Sequence, residues 1–284
     1  MTAPRTTPVL TLCCAGRPVA RYAYRPDLDA RSAPRPYLHP VTTLRGTPVT
    51  ELMPADHPHH LGAGVAVPDV AGHNFWGGRT YVRGRGPTDL DNHGIQRHTA
   101  FNLRDPDGFV AELSWSVGED ELLRERRTVA ATALTDTAWA LDLTFSLTNT
   151  TAGPLSFGSP ATNGRPGAGY GGFFWRAPKE ASAPEVFTAE AEGESAVHGR
   201  PADWLALGGA GWTLVFAGAT DRTRRDPWFV RTAAYPGVGS SLAPDARLDL
   251  PAGDTAVRRV VTVVADGRLA RDEAAALVRK AVSP

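Results

Sequence analysis

From Trp139 to Leu147 apolar residues alternate with polar or small ones without a break. Trp139, Leu141, Leu143, Phe145 and Leu147 fall on one side, and Ala140, Asp142, Thr144 and Ser146 on the other. A repeat of two predicts a strand with one buried face, because successive side chains leave a pleated backbone in opposite directions. Phe109 to Val117 repeats the pattern, with Phe109, Leu113, Trp115 and Val117 expected inward and Glu112, Ser114 and Ser116 outward. Further strands are expected at Val19–Tyr24, Leu122–Ala130, Trp212–Ala217, Trp228–Ala233 and Val257–Val264. One stretch changes period. Leu269, Ala274, Leu277 and Ala281 recur at near-helical spacing after the turn Asp266-Gly267, which predicts one short helix over residues 268–283, packed on a sheet.

The 24 prolines and 29 glycines are spread along the chain, so they punctuate short strands and pool into no linker. Many strands and one late helix predict an all-β fold, a single β-sandwich domain over residues 1–284, with residues 1–15 loosely ordered. A chain of 284 residues with 42% hydrophobic content can build one such core.

The 30 Asp and Glu cancel the 30 Lys and Arg, so neither nucleic acid nor an anionic membrane surface is the expected partner. No apolar run approaches the 18 residues of a membrane span. Cys13 and Cys14 are adjacent and make no disulfide framework. The first 18 residues are broken by proline and glycine and do not read as a signal peptide. A cytoplasmic location is expected, and no obligate partner surface stands out.

Seven of the eight histidines lie between His39 and His98, three of them with an aspartate in Pro54-Ala-Asp-His-Pro-His-His60. Imidazole moves protons near neutral pH and is the commonest metal ligand. Three readings stay open. Asp56 or a backbone carbonyl fixes a histidine tautomer for acid/base work. Alternatively His57 and His59 project to one side of an extended segment, His60 to the other, and His57, His59 and His60 supply ligands to a divalent metal with a more distant histidine, although no standard zinc spacing or thiolate is present. In the third reading the rings satisfy loop backbone. Glycines flank a block of aromatics at Gly169-Tyr170-Gly-Gly-Phe-Phe-Trp175-Arg176, and Phe75-Trp76 follows His73-Asn74. Aromatic walls with a few directed polar groups suit a small-molecule pocket, although Phe173, Phe174 and Trp175 also fit a core. Arg176 beside them needs a partner if buried.

Arg35–Val67, then His-Asn-Phe-Trp-Gly-Gly at 73–78 and Gly-Tyr-Gly-Gly-Phe-Phe-Trp-Arg at 169–176, resemble an uncharacterised bacterial family labelled methane oxygenase PmoA-like, over roughly Gly16 to Gly267. That label names a bundle of membrane helices, which this chain does not encode. More loosely, His93-Gly-Ile-Gln-Arg97, Phe145-Ser-Leu-Thr-Asn149, Ser159-Pro-Ala-Thr-Asn163 and Pro-Ala-Gly-Asp254 are similar to runs of the hexose-6-phosphate mutarotases. The resemblance implies a galactose-mutarotase-like β-supersandwich and a sugar substrate. Gly164 and Arg165 stand where those enzymes carry their catalytic histidine, and their catalytic glutamate has no clear counterpart. Fold does not fix function.

The expectation is an enzyme acting on a sugar or oxidised sugar by epimerisation, elimination or hydrolysis, without a required cofactor. His57, His59, His60 and His98 are expected to move protons. Arg97, Arg165 and Arg176 are expected to hold hydroxyls or a carboxylate, and His73, Asn74, Trp76, His93, Tyr170 and Tyr235 to line the pocket. Asp56 and Asp69 form no obvious glycosidase pair. The alternatives are a metal-dependent enzyme on the same fold and a non-catalytic carbohydrate-binding module.

Overall fold

The computed structural model describes residues 7–283. The strand Ala138–Asn149 contains the predicted alternation, and all five of its predicted inward residues are buried. It lies within an eight-stranded sheet with the order Glu185–Phe187, Trp204–Gly208, Trp212–Gly218, Thr255–Asp266, Ala138–Asn149, Asp120–Thr135, Gly108–Val117 and Ile95–Asp105. A seven-stranded sheet runs Val9–Cys14, Arg17–Ala23, Tyr37–Val41, Ala63–Ala66, Gly172–Arg176, Gly237–Ser241 and Trp228–Arg231. Neighbouring strands pair antiparallel in both. The fold is the expected all-β sandwich.

The two sheets bury one apolar layer between them. Tyr22 of one stacks on Phe109 of the other at 4.3 Å, and Trp175 meets Phe216 edge-on at 5.6 Å. Buried indoles need acceptors. Trp139 donates to the Thr42 carbonyl and Trp175 to the Val49 carbonyl. The C-terminal helix spans Arg271–Val282 and seats Ala274 and Val278 on the outer face of the eight-stranded sheet, over Val215, Val263 and Ala265. Glu273 begins it by accepting the Ala270 amide. Part of the segment expected to be loose is ordered: Val9–Cys14 pairs with Arg17–Ala23 as an edge strand, because Leu12 and Cys14 reach the core. Residues 1–6 of that segment lie outside the described residues. Both cysteines are free, and no helix among the described residues is long and apolar enough to cross a membrane.

Short strands that alternation did not reveal place the site. In Gly172–Arg176 every residue is buried, because both faces are covered. Phe173 and Trp175 join the inter-sheet core. Phe174 faces the opposite way and packs with Ala66, Trp76, Tyr170 and Tyr235. The outer face of the seven-stranded sheet therefore carries a second, smaller apolar cluster, and the histidines sit on it.

Candidate active site

His57, His59 and His60 come together in a cleft of about 450 Å³ on this outer face. The segment that delivers them is not extended, contrary to expectation. The His57 amide donates to the Pro54 carbonyl and the His60 amide to the His57 carbonyl, so two turns coil it. His57 and His60 consequently stack at 4.6 Å, with His59 edge-on to His60 at 4.8 Å. His60 is 2% exposed and packs against Phe174 and the edge of Trp76.

The loop after Val70 holds Trp76 and His59. Asn74 Oδ1 accepts the amides of Trp76 and Gly77 at 2.8 and 2.9 Å, and its Nδ2 donates to Thr80 Oγ1 at 3.1 Å. Gly78 has φ +68° and lies against the His59 ring, where a Cβ would come within 2.9 Å of the imidazole. Tyr170 packs between Trp76, tilted at 4.6 Å, and Phe229, edge-on at 5.2 Å. Its approach depends on Gly169, whose Cβ would lie 2.2 Å from the Pro244 carbonyl oxygen. Gly169→Ala is expected to destabilise the fold by about 1–3 kcal/mol, because backbone must move to admit the methyl. A thermal melt that matches the wild type would contradict that close approach.

Asp56 lies 3.2 Å from His57 Nδ1, near enough to orient the ring though not aligned as a hydrogen bond. Burial pushes the Asp56 carboxyl up, but His57 and Arg176 outweigh it and hold it below the usual carboxylate range. Burial, reinforced by Arg35 and the neighbouring imidazoles, depresses His59 to about 3. Burial and the adjacent rings depress His60 as well, so both stay neutral at physiological pH. Burial raises the phenols of Tyr170 and Tyr235, and both keep their protons.

Arg176 is fully buried behind the cleft and does not line it. It pairs with Glu51 at 2.9 Å and lies 5.0 Å from the Tyr235 ring, where its charge meets the aromatic face. Arg165, Arg231 and Arg79 line the cleft itself. Arg231 donates to the Gly167 and Val230 carbonyls and sits 3.7 Å from Glu194. Arg79 shares Asp89 with Arg31. Arg165 has no ion-pair partner among the described residues.

Several expected pocket residues lie elsewhere. His98 and Arg97 open into a separate cavity with Tyr24, Arg25 and Arg35, because their strand runs along the far edge of the eight-stranded sheet. Asn74 spends its amide on the loop, and the His93 ring contacts the Gly78 carbonyl at 2.7 Å. His73 closes a turn with Val70. None of the three lines the cleft. Asp69 is held by Arg247 and Asn163, away from Asp56. Of the three histidines expected as metal ligands, His57 stacks on His60 and His59 meets His60 edge-on, and among the described residues no three His, Cys, Asp or Glu side chains converge as a metal site. Phe229, Arg231 and Arg79 were missed. Alternation along Trp228–Arg231 was the available signal for the first two, since Trp228 and Val230 enter the core and Phe229 and Arg231 must face out.

Among solved structures, the chain is similar to a polysaccharide lyase at 12% identity and a TM-score of 0.38, over 92% of this chain and 34% of that one. It is similar to an alpha-galactosidase from Lactobacillus brevis at 10% identity and a TM-score of 0.43, over 87% and 38%. A heparan sulfate lyase HepC mutant from Pedobacter heparinus aligns at 12% identity and a TM-score of 0.30, over 64% and 23%. The chain thus spans well under half the length of each. No curated protein sequence matches it significantly. Residues 10–279 match DUF6807, described as a family of unknown function, and the methane-oxygenase wording is not part of that description. By that match, which takes in both sheets and most of the terminal helix, the chain belongs to the DUF6807 family.

Proposed function

We propose that the histidine cleft binds an oxidised sugar and that His57, oriented by Asp56, moves a proton at a carbon beside the sugar's carboxylate or carbonyl. The observation that carries this reading is the Asp56–His57 pair at the mouth of an aromatic-walled, arginine-lined cleft. With Nδ1 turned to the carboxylate, Nε2 is the ring nitrogen left for substrate, and the carboxylate stabilises the imidazolium that forms. His59 and His60 are too desolvated to accept that proton and serve as neutral hydrogen-bonding walls.

The partly exposed rings of Tyr170 and Tyr235 are the ones left for the C–H faces of a pyranose, with buried Trp76 and Phe229 packed against Tyr170. Arg165 and Arg231 supply planar forks that match a carboxylate. Such pairing spreads the charge that builds on the substrate when the C–H proton leaves for His57 and its electron pair moves into the carboxylate. A protonated tyrosine then returns a proton to the opposite face, giving an epimer, or the electron pair expels a leaving group from the next carbon, giving an unsaturated sugar. Hydrolysis by paired carboxylates finds little support, since Asp56 is the one carboxylate among the lining residues.

Solvent deuterium reports the shared first step without a known product. Wild-type protein in heavy water is expected to exchange, epimerise or cleave at least one member of a panel of uronates and keto-sugars, followed by proton NMR. His57→Gln is expected to lose about a hundredfold or more of that rate, and Asp56→Asn to lose part of it. Undiminished exchange in His57→Gln would overturn the assignment. Saturable sugar binding with no turnover in any variant would instead make the cleft a non-catalytic binding module.

A further inference from the structure

The cavity that takes His98 and Arg97 away from the cleft has its own chemistry. It holds about 380 Å³ between the edge strand Ile95–Asp105 and the segments around Tyr24 and Pro34. Arg25, Arg35 and Arg97 line it, and no carboxylate does. Arg35 is 5% exposed, and its hydrogen bonds go to the carbonyls of Ser32, Ala33 and His59, all neutral groups. Among the described residues neither it, Arg25 nor Arg97 has an ion-pair partner. Arg127 lies behind the wall and adds charge, but Glu125 already pairs with it at 2.6 Å.

A buried guanidinium without a counter-charge is costly, and three around one cavity reinforce one another. His98 is 7% exposed in the same wall, and its Nδ1 has no hydrogen-bond partner. Burial, with Arg25 and Arg127 close by, depresses it to about 4, so it remains a neutral donor or acceptor. Tyr24 adds an aromatic face beside His98, 5.0 Å between ring centres. The volume exceeds what a bare ion fills and falls in the range of small-molecule sites.

We propose that this cavity is a second ligand site, separate from the histidine cleft, which takes an organic phosphate or sulfate ester with its oxyanion between Arg25, Arg35 and Arg97. Planar guanidinium forks match tetrahedral oxyanions bidentately, and Tyr24 is at hand for the organic part.

The test is titration calorimetry on the full chain with inorganic phosphate, inorganic sulfate, glycerol 3-phosphate and acetate. Saturable binding of glycerol 3-phosphate is expected, tighter than that of either inorganic ion or acetate. Equal affinity for inorganic phosphate would assign the site to the free ion and overturn the ester. The double substitution Arg25→Gln, Arg97→Gln removes two exposed side chains, and circular dichroism checks that the variant is folded. It should weaken binding about tenfold or more. His57→Gln should bind as the wild type does, which keeps this result separate from the fate of the proposed catalytic cleft. No binding to folded wild type by any phosphate or sulfate probe would overturn the proposal. So would binding that the double variant retains, or binding lost instead in Arg165→Gln.

Discussion

Glu125→Ala is expected to destabilise the protein by about 3–5 kcal/mol, the cost of leaving a buried charge without its partner. Glu125 and Arg127 are 0% and 1% exposed at the centre of the sandwich. Glu125 accepts Arg127 Nε at 2.6 Å and an Arg127 terminal nitrogen at 2.9 Å, and it takes the Trp115 indole at 2.8 Å. Arg127 then reaches the Pro36 carbonyl and Gln96 Oε1, both at 3.3 Å, and Gln96 donates to the Val65 carbonyl at 3.0 Å. The pair thus ties the eight-stranded sheet to two segments of the seven-stranded one. Removing Glu125 deprives Arg127 of its one carboxylate partner among the described residues and an indole of its acceptor at once. Against a typical stability of about 5–15 kcal/mol, that loss is large. The urea midpoint of Glu125→Ala, read with an unchanged slope, measures it. The double change Glu125→Leu, Arg127→Met should recover most of the loss, because it removes both charges together. A Glu125→Ala midpoint within error of wild type would mean that water or another anion already compensates Arg127.

The sandwich was legible where one face of a strand meets the core and the other meets solvent. Ala138–Asn149 and Gly108–Val117 are such strands, and the alternation survives from Leu141 to Asn149 and from Ala111 to Trp115, whereas Ala140, expected outward, is buried in the cluster under the terminal helix, Ser116, also expected outward, is buried, and Val117, expected inward, is only partly so. It was not legible where both faces are covered. Gly172–Arg176 reads as a continuous apolar block, and only the paired sheets reveal that Phe173 and Trp175 belong to one layer and Phe174 to another. Tyr37–Val41 and Ala63–Ala66 are too short, and too interrupted by Pro40 and Gly64, to declare themselves. The site follows the same logic. His57, His59 and His60 are neighbours in sequence and were found together. His98 was assigned to them by density of histidines along the chain. A strand that crosses to the other sheet breaks that link, since nearness in sequence constrains nearness in space only within a turn or two.

Lowering the pH from 7 to 5 is expected to weaken the fold by about 4 kcal/mol through His60 and His98 alone. Both rings are nearly inaccessible, and burial pushes both below the ordinary histidine value of 6.5, His98 to about 4. In the unfolded chain they bind protons below about 6.5, while in the native protein they do not. The unfolded state therefore binds more protons, and stability falls as pH falls, at up to about 1.4 kcal/mol per unit for each ring. The contribution is fully present above 6.5, and for His98 the loss levels off near 4, where the native ring is itself protonated. Half-buried His59, depressed to about 3, adds to the same slope. Most carboxylates stay ionised down to pH 5, so this window isolates the imidazoles. Urea unfolding at pH 7 and at pH 5 measures the effect. The double variant His60→Asn, His98→Asn should start less stable at pH 7 but lose much less between the two values. A wild-type midpoint that does not move over this interval would mean that both rings are protonated natively or already reached by water. In that case His60 could itself accept a proton, and the reason for assigning that role to His57 alone would disappear.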